Sequence, residues 1–241
     1  MTDIEYLKKY LDKDKLEDGL KRLQSGEPVQ YIIGNVDFYG NIINVNKNVL
    51  IPRFETELLV DKTIKYLKKY FNQDNEKINI LDLATGSGNI AISLKKNLCS
   101  CVTATDISED ALKVARQNAK NNNAMVDFYQ SDILKNVKGT FDCIISNPPY
   151  IAFDEEVEEI VKNNEPHIAL YAENNGLKYY EDILSGAGKH LNKKAIIAFE
   201  IGRTQGDRIK AIARKYFKNA KVSVEKDFTG NDRFVFVFIN I

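Results

Sequence analysis

Apolar residues recur at three- and four-residue spacing at the start of the chain: Ile4, Leu7 and Leu11, then Leu16, Leu20 and Leu23. Such spacing lines one face of a helix or helical pair. Ser25-Gly26-Glu27-Pro28 closes the pattern, since Gly favours the end of a helix and Pro cannot continue it. From Val29 to Leu50 the runs YIIG, VDFYG and NIINVN are rich in β-branched and aromatic residues. Gly40-Asn41 falls between two of them and predicts a two-residue hairpin turn. Residues 1–25 therefore read as a short helical segment and 26–55 as a β-hairpin linker, ahead of a main domain over 56–241.

The main domain opens with a predicted helix from Thr56 to Tyr70, its Leu59, Thr63, Tyr66, Leu67 and Tyr70 on or near one face. Phe71 to Lys77 is polar and reads as a linker and domain boundary. Strand and helix patterns then alternate. Strands are predicted at Ile78–Leu83, Cys101–Asp106, Met125–Gln130, Phe141–Ser146 and Ala195–Ile201. Helices are predicted at 89–97, from the Ser108 cap to about 121, at 176–191 and at 204–216. Short apolar strands alternating with helices imply an α/β fold with a doubly wound, mostly parallel sheet. Lys221–Lys226 and Arg233–Ile239 are joined by DFTGND, too short for a crossover, so the last strand is antiparallel and the sheet has seven strands.

Composition narrows the class of protein. The 241 residues carry 34 Lys+Arg and 34 Asp+Glu, a formal net charge of zero, which argues against a protein that coats nucleic acid. Hydrophobic residues at 44% and charged residues at 28% are ordinary for a soluble globular chain. No run approaches the ~18 apolar residues of a membrane span, and the charged start holds no signal-peptide core. Cys99, Cys101 and Cys143 lack zinc-type spacing and read as reduced thiols. A cytoplasmic address and no metal are the resulting expectations.

The chemistry begins where the first strand of the main domain runs into Asp82-Leu83-Ala84-Thr85-Gly86-Ser87-Gly88-Asn89. Gly86 and Gly88 permit positive φ and bring backbone close to a ligand, and the next helix starts with unpaired N–H groups. Asp106 ends the second strand, where a carboxylate can accept both hydroxyl hydrogens of a ribose. Together these predict an adenosine-bearing ligand, although G-x-G-x-x-A alone also fits a dinucleotide-binding dehydrogenase. After the third strand, Asp132 reads either as a contact to an adenine amino group or as a helix cap. Ile133 would cover the adenine face.

The fourth strand ends in Asn147-Pro148-Pro149-Tyr150. Asn147 precedes proline and is held extended. Its side-chain carbonyl and the Pro148 carbonyl form a pair of acceptors for a planar –NH2 group, with Tyr150 as an aromatic wall. That arrangement orients a weakly nucleophilic amide or exocyclic amine for attack on a methyl group.

The glycine loop, Asp106 and Asn147-Pro148-Pro149-Tyr150 together resemble an S-adenosylmethionine-dependent methyltransferase of the amino type, whose fold closes on an antiparallel strand pair. Gly26-Glu27-Pro28-Val29-Gln30-Tyr31-Ile32-Ile33-Gly34, Phe38-Tyr39-Gly40 and Leu50-Ile51-Pro52-Arg53-Phe54-Glu55-Thr56-Glu57 look like the hairpin region of the release factor glutamine methyltransferases. Glu165-Pro166, Ala169-Leu170, Gly176-Leu177 and Glu200-Ile201-Gly202 with Gln205 agree. The resemblance implies methylation of the side-chain nitrogen of the Gly-Gly-Gln glutamine in a peptide chain release factor. It places S-adenosylmethionine against Ala84, Thr85, Gly86, Ser87, Gly88, Asp106, Asp132, Ile133 and Asn147. The glutamine would lie against Asn147, Pro148, Pro149 and Tyr150, with Asn147, Pro148 and Tyr150 catalytic. The chain departs from the family in having Ala84 for Gly and Phe54 for Pro. It also has only about 25 residues where the family carries a helical bundle.

Two other functions remain open at this stage: an amino methyltransferase acting on adenine or guanine, and a non-catalytic S-adenosylmethionine-binding assembly factor. The expected partner is a release factor, met by a monomer, with no membrane and no nucleic acid as direct substrate. The acidic run Asp154–Glu159 reads as a solvated helix face or as a lid. The basic stretch Arg208 to Lys221 reads as an amphipathic surface helix or as a contact for RNA or protein. His167 and His190 stand alone, and Arg53, Glu55 and Glu57 read either as neighbours of the cofactor's amino-acid end or as surface ion pairs.

Overall fold

A computed structural model describes residues 2–71 and 77–241; the polar stretch read as a domain boundary lies, over 72–76, outside them. Helix α1 (Asp3–Tyr10) starts with a reciprocal cap, in which Thr2 Oγ1 accepts from the Glu5 N–H and Glu5 Oε2 accepts from the Thr2 N–H. Its Leu7 packs with Val29 and Ile32, and helix α2 (Leu16–Gln24) adds Leu16, Leu20 and Leu23 around them. Val29–Ile33 is not part of a strand: it forms a short helix, α3. Pro28 presets its entry and accepts from the Tyr31 and Ile32 N–H groups, and Gly34 at φ 87° ends it. Burial of Val29 and Ile32 against α1 outweighs the β preference of these residues.

The hairpin follows as β1 (Asn35–Phe38) and β2 (Asn41–Asn44). Phe38 pairs with Asn41, so the turn is Tyr39-Gly40, one residue earlier than the sequence suggested. Both turn residues have positive φ, 52° and 71°, as a tight hairpin turn requires. Asn41 serves the turn from outside, its buried Nδ2 donating to the Phe38 and Tyr39 carbonyls and to Ser93 Oγ.

The main sheet comprises β3 (Ile78–Leu83), β4 (Ser100–Asp106), β5 (Asp127–Gln130), β6 (Phe141–Ser146), β7 (Leu191–Glu200), β8 (Lys221–Lys226) and β9 (Asp232–Ile239). Their order is β5-β4-β3-β6-β7-β9-β8, with β9 antiparallel to both neighbours and the other pairings parallel. The doubly wound seven-stranded sheet expected from the sequence is therefore present. Successive residues point to opposite faces. Ile80, Cys143, Ile145, Ile196 and Ala198 join one core, with helices α4 (Phe54–Tyr70) and α5 (Asn89–Asn97) and the hairpin. Leu81, Leu83, Ile144, Ile197 and Phe199 join the other, under helices whose Tyr180, Ile183, Ile209 and Ala213 are fully buried.

Helix α6 (Glu109–Asn121) carries the expected Ser108 cap, Oγ accepting from the Ala111 N–H. Its fully buried Asn118 ties three segments together. Oδ1 accepts from the Asn44 N–H at 2.8 Å, and Nδ2 donates to the Asn44 and Ser87 carbonyls at 2.9 Å each. Hairpin, helix and glycine loop thus share one side chain. Asn118→Ala leaves those buried groups unpaired and is expected to destabilise the protein by about 2 kcal/mol, read as a lowered urea midpoint; an unchanged midpoint would refute the latch.

Candidate active site

The strand order reverses between β3 and β6, so connections leave in opposite directions and open a crevice at the strands' carboxyl ends. Beyond Leu83 the chain turns through Ala84, Gly86 and Gly88, all left-handed with φ 56°, 54° and 81°. The glycines serve different ends. A Cβ on Gly86 would meet nothing within 4 Å, because the residue faces a cavity, whereas one on Gly88 would lie 3.1 Å from the Ala115 Cβ. Gly88 lets α6 pack closely and does not line that cavity. Ala84 holds a conformation that costs a non-glycine residue about 1–2 kcal/mol.

The cavity encloses about 940 Å³ including its open mouth, and Ala84, Thr85, Gly86, Ser87, Asp106, Asp132, Ile133, Asn147 and Pro149 all line it. Asp106 Oδ2 accepts from the Gly86 N–H and Oδ1 from the Ser108 N–H, each at 2.9 Å. Burial pushes its pKa up while backbone donors pull it down. A carboxylate has further lone pairs beyond these two bonds, and they remain available to a ligand. Beneath the loop, fully buried Asp82 accepts from Thr85 Oγ1 at 2.6 Å and leaves Oδ1 unpaired; burial raises its pKa to about 7.

Ile133 has φ 48°, an uncommon conformation for a β-branched side chain. Ser131 holds the turn by donating to the Ile133 carbonyl and accepting from the Asn136 N–H. Strain maintained at a cavity wall is a mark of a functional site. Asp132 caps no helix, since no helix follows it. Its carboxylate pairs with Lys135 at 2.5 Å.

Asn147 also lines a second cavity of about 620 Å³ including its mouth, together with Pro148 and Tyr150. The sequence-predicted residues other than Gly88 thus fall into two chambers that share Asn147. Behind that residue lies a buried polar chain that sequence reasoning missed. Asn147 Nδ2 lies 3.2 Å from Thr56 Oγ1, which donates to Glu200 Oε2 at 2.6 Å; Tyr150 Oη is 3.5 Å from Glu200 Oε1. Burial raises the Glu200 pKa to about 7 against the Thr56 hydrogen bond and the Arg233 charge, and it pushes the Tyr150 phenol up. A carboxylate ending the apolar run Ala195–Phe199 was the available signal, since buried charge requires partners.

Arg53 lines both chambers and pairs with Glu165, whose carboxylate is almost fully buried and also accepts from the Ile51 N–H. Neither Glu55 nor Glu57 lines either chamber. Phe54 begins α4, exposed and stacked on Phe228 with ring centroids 5.9 Å apart. The acidic run is not a helix: residues 154–158 form a turn and extended chain, and a short helix starts only at Glu159. Val157 and Glu158 reach the second chamber. His167 is exposed and His190 half-buried, and among the described residues no cluster suited to a metal ion is found.

The model of the methyltransferase small domain family matches residues 56–170. The release factor glutamine methyltransferase of Lactococcus lactis subsp. lactis (strain IL1403) is 43% identical over 220 residues, covering 90% of this chain and 79% of the relative. That of Bacillus subtilis (strain 168) is 41% identical over 223 residues, covering 90% and 77%. The chain belongs to the release factor glutamine methyltransferase family. Two solved structures support the fold. A methyltransferase from Pyrococcus furiosus has a TM-score of 0.63 at 22% identity, covering 93% of this chain and 100% of its own. The protein-(glutamine-N5) methyltransferase of Alicyclobacillus acidocaldarius has 0.50 at 24%, covering 82% and 99%.

The cofactor of such a methyltransferase is S-adenosylmethionine, and the first chamber suits it. Gly86 leaves space where a side chain would stand, Asp106 has spare acceptors, and Ile107 and Ile133 supply apolar walls.

In this methyltransferase Tyr150 is positioned through its backbone. Its carbonyl accepts from Gln205 Nε2 at 2.8 Å, and a Cβ on Gly176 (φ +78°) would come within 2.1 Å of that oxygen. Gly176→Ala is expected to cost about 3 kcal/mol and to displace Tyr150, lowering methyl transfer. Gly139→Ala, also left-handed but with open space around it, should cost about 1 kcal/mol and leave transfer intact. Denaturation and turnover assays on both variants check this; equal effects on turnover would refute it.

Proposed function

We propose that this enzyme methylates the side-chain amide nitrogen of the glutamine in the Gly-Gly-Gln motif of a peptide chain release factor. It would act as a monomer in the cytoplasm, on protein and not on nucleic acid. The observation that carries the reading is the sharing of Asn147 by two chambers, one suited to the cofactor and one open to a partner. The names of the relatives at about 40% identity support the substrate, and the zero net charge accords with a protein partner.

S-adenosylmethionine, when bound, supplies an electrophilic methyl group, taken by the glutamine nitrogen as the carbon–sulfur bond breaks and its electron pair stays on sulfur. Thr85, Gly86, Ser87 and Asp106 would hold the cofactor, with Asp106 accepting from its ribose. Ala84 and Gly88 would shape the loop, Gly88 through its packing on Ala115. Ile133 would cover the adenine, and Asp132 would reach its amino group at the expense of the Lys135 pair.

On the other side, Asn147 Oδ1 and the Pro148 carbonyl would accept the two hydrogens of the glutamine amide. Those two bonds would fix the amide plane and so aim the nitrogen lone pair, which stands perpendicular to it, towards the cofactor chamber. Tyr150 would hold the flat group from this side and Pro149 from the cofactor chamber, whose wall it lines. The surplus proton of the product leaves to water, so the chain need not provide a base. Fixing the nitrogen in this way accounts for part of the roughly 7–11 kcal/mol that orientation can contribute.

Asn147→Ala should lower transfer from labelled S-adenosylmethionine to release factor by about 100-fold or more while cofactor binding survives at least in part. Release factor with its Gly-Gly-Gln glutamine changed to alanine should take up no label. Label entering tRNA, rRNA or DNA but not release factor would overturn the substrate.

A further inference from the structure

The buried chain behind Asn147 has a direction. An ionised carboxylate only accepts hydrogen bonds, so the Thr56 hydroxyl, 2.6 Å from Glu200 Oε2, gives its proton to Glu200. What Thr56 Oγ1 then turns towards Asn147, 3.2 Å away, is lone pairs. A group facing lone pairs must donate, so the –NH2 end of Asn147 faces Thr56 and Oδ1 is left for the chambers that Asn147 lines.

That selection matters because the two ends of a carboxamide are almost the same size. Shape alone does not distinguish Asn147 from its flipped form. Flipped, the residue would present donors to the donors of a substrate amide, and the second acceptor of the site would be lost.

We propose that Glu200 and Thr56 are positioning residues that set the polarity of the Asn147 amide, and that protonation of Glu200 releases it. The inference rests on the reading of Asn147 as acceptor for the glutamine amide. A protonated Glu200 can itself donate to Thr56 Oγ1, which frees the Thr56 proton to point at residue 147 and reverses the chain.

The surroundings of Glu200 make that reversal accessible. It is fully buried at the end of β7. Facing it are Glu55 and Thr56 from α4, Tyr150 after β6, Tyr180 from the helix Lys178–Gly186, and Arg233 from β9. Burial and the Glu55 charge disfavour the carboxylate; Thr56, Arg233 and Tyr150 favour it, and the balance lies at about 7. The Tyr180 hydroxyl is engaged elsewhere, donating to the Glu200 backbone carbonyl at 2.7 Å. The sign follows directly. Substrate binding and turnover are complete with Glu200 ionised and are lost as pH falls through about 7.

The test uses the full chain as wild type, Thr56→Val, Thr56→Ser and Glu200→Gln. The first readout is the side-chain amide signal of Asn147 by nitrogen-15 NMR without cofactor, assigned by its loss in Asn147→Ala. The second is the pH profile of binding to a Gly-Gly-Gln peptide, and the third is kcat on release factor. In wild type the Asn147 signal should shift, and peptide binding weaken, with a midpoint near 7.

Thr56→Val should move the signal to that of a free amide and lower kcat by about 100-fold; Thr56→Ser should restore both. Glu200→Gln should abolish the pH dependence. An unmoved signal and kcat in Thr56→Val, or an acid limb persisting in Glu200→Gln, overturns the proposal. Should Thr56→Val fail to fold, a wild-type signal that does not titrate overturns it equally. A wild type whose Asn147 signal responds as stated but which leaves release factor unmethylated sinks the proposed substrate and leaves the positioning role standing.

Discussion

Everything at the active end of this protein follows from the divergence of two neighbouring parallel strands. After β3 the chain leaves towards β4, and after β6 it leaves towards β7. No connection crosses the gap between their ends, so the polar groups that terminate the strands have no helix to cover them. The glycine loop, Asp106 and Asn147 each occupy such an end. Each is then fixed by hydrogen bonds to other polar groups: Asp106 by the Gly86 and Ser108 amides, Asn147 by Thr56. The crevice is rigid because these groups satisfy one another from several elements at once.

The hairpin and α4 complete the crevice from one side. Val36, Phe38, Ile43 and Val45 share a core with Leu59 and Ile80, so the hairpin is packed against the sheet and does not trail from it. That packing carries Val49, Pro52, Arg53 and Thr56 to the wall of the chamber. The Arg53–Glu165 pair then joins this wall to the segment that follows the acidic run. With Glu165 buried and Arg53 partly exposed, such a pair contributes little net stability against the desolvation of the carboxylate. Its consequence is geometric, since it sets how far apart the two walls stand.

Where burial follows a simple period, the sequence was a close guide. Ile78–Leu83, Phe141–Ser146 and Lys221–Lys226 are strands with the bounds their apolar runs predict, and the loop and Asn-Pro-Pro-Tyr residues converge on one crevice. It was a poor guide where tertiary contact overrides local preference. Val29–Ile33 is β-rich in composition yet helical, held between Pro28 and Gly34. The turn sits on Tyr39-Gly40 because Asn41 is needed as a buried donor. The acidic run lacks the apolar face a helix would bury, and only its last residue enters one. The sequence marks Glu200 as a carboxylate at the end of a buried run but not its partner: it meets Thr56 across 144 positions of chain, and no local pattern reports such a meeting.

That last contact shows how the site gives up stability for polarity. Residues 195–199 of β7 are apolar and fully buried, and an apolar residue at 200 would continue the pattern. Raising the pKa of Glu200 from 4.5 to about 7 corresponds to about 3 kcal/mol against its ionised form. That cost is what remains after the Thr56 donor, then the Arg233 charge and the Tyr150 donor, have offset part of the burial penalty. An apolar replacement would remove the penalty altogether, but it would leave Thr56 free to turn its proton either way. A carboxylate at 200 removes that freedom. It passes one direction of hydrogen bonding through Thr56 to Asn147, which lines both chambers, and a site that must accept both hydrogens of a neutral amide depends on that direction.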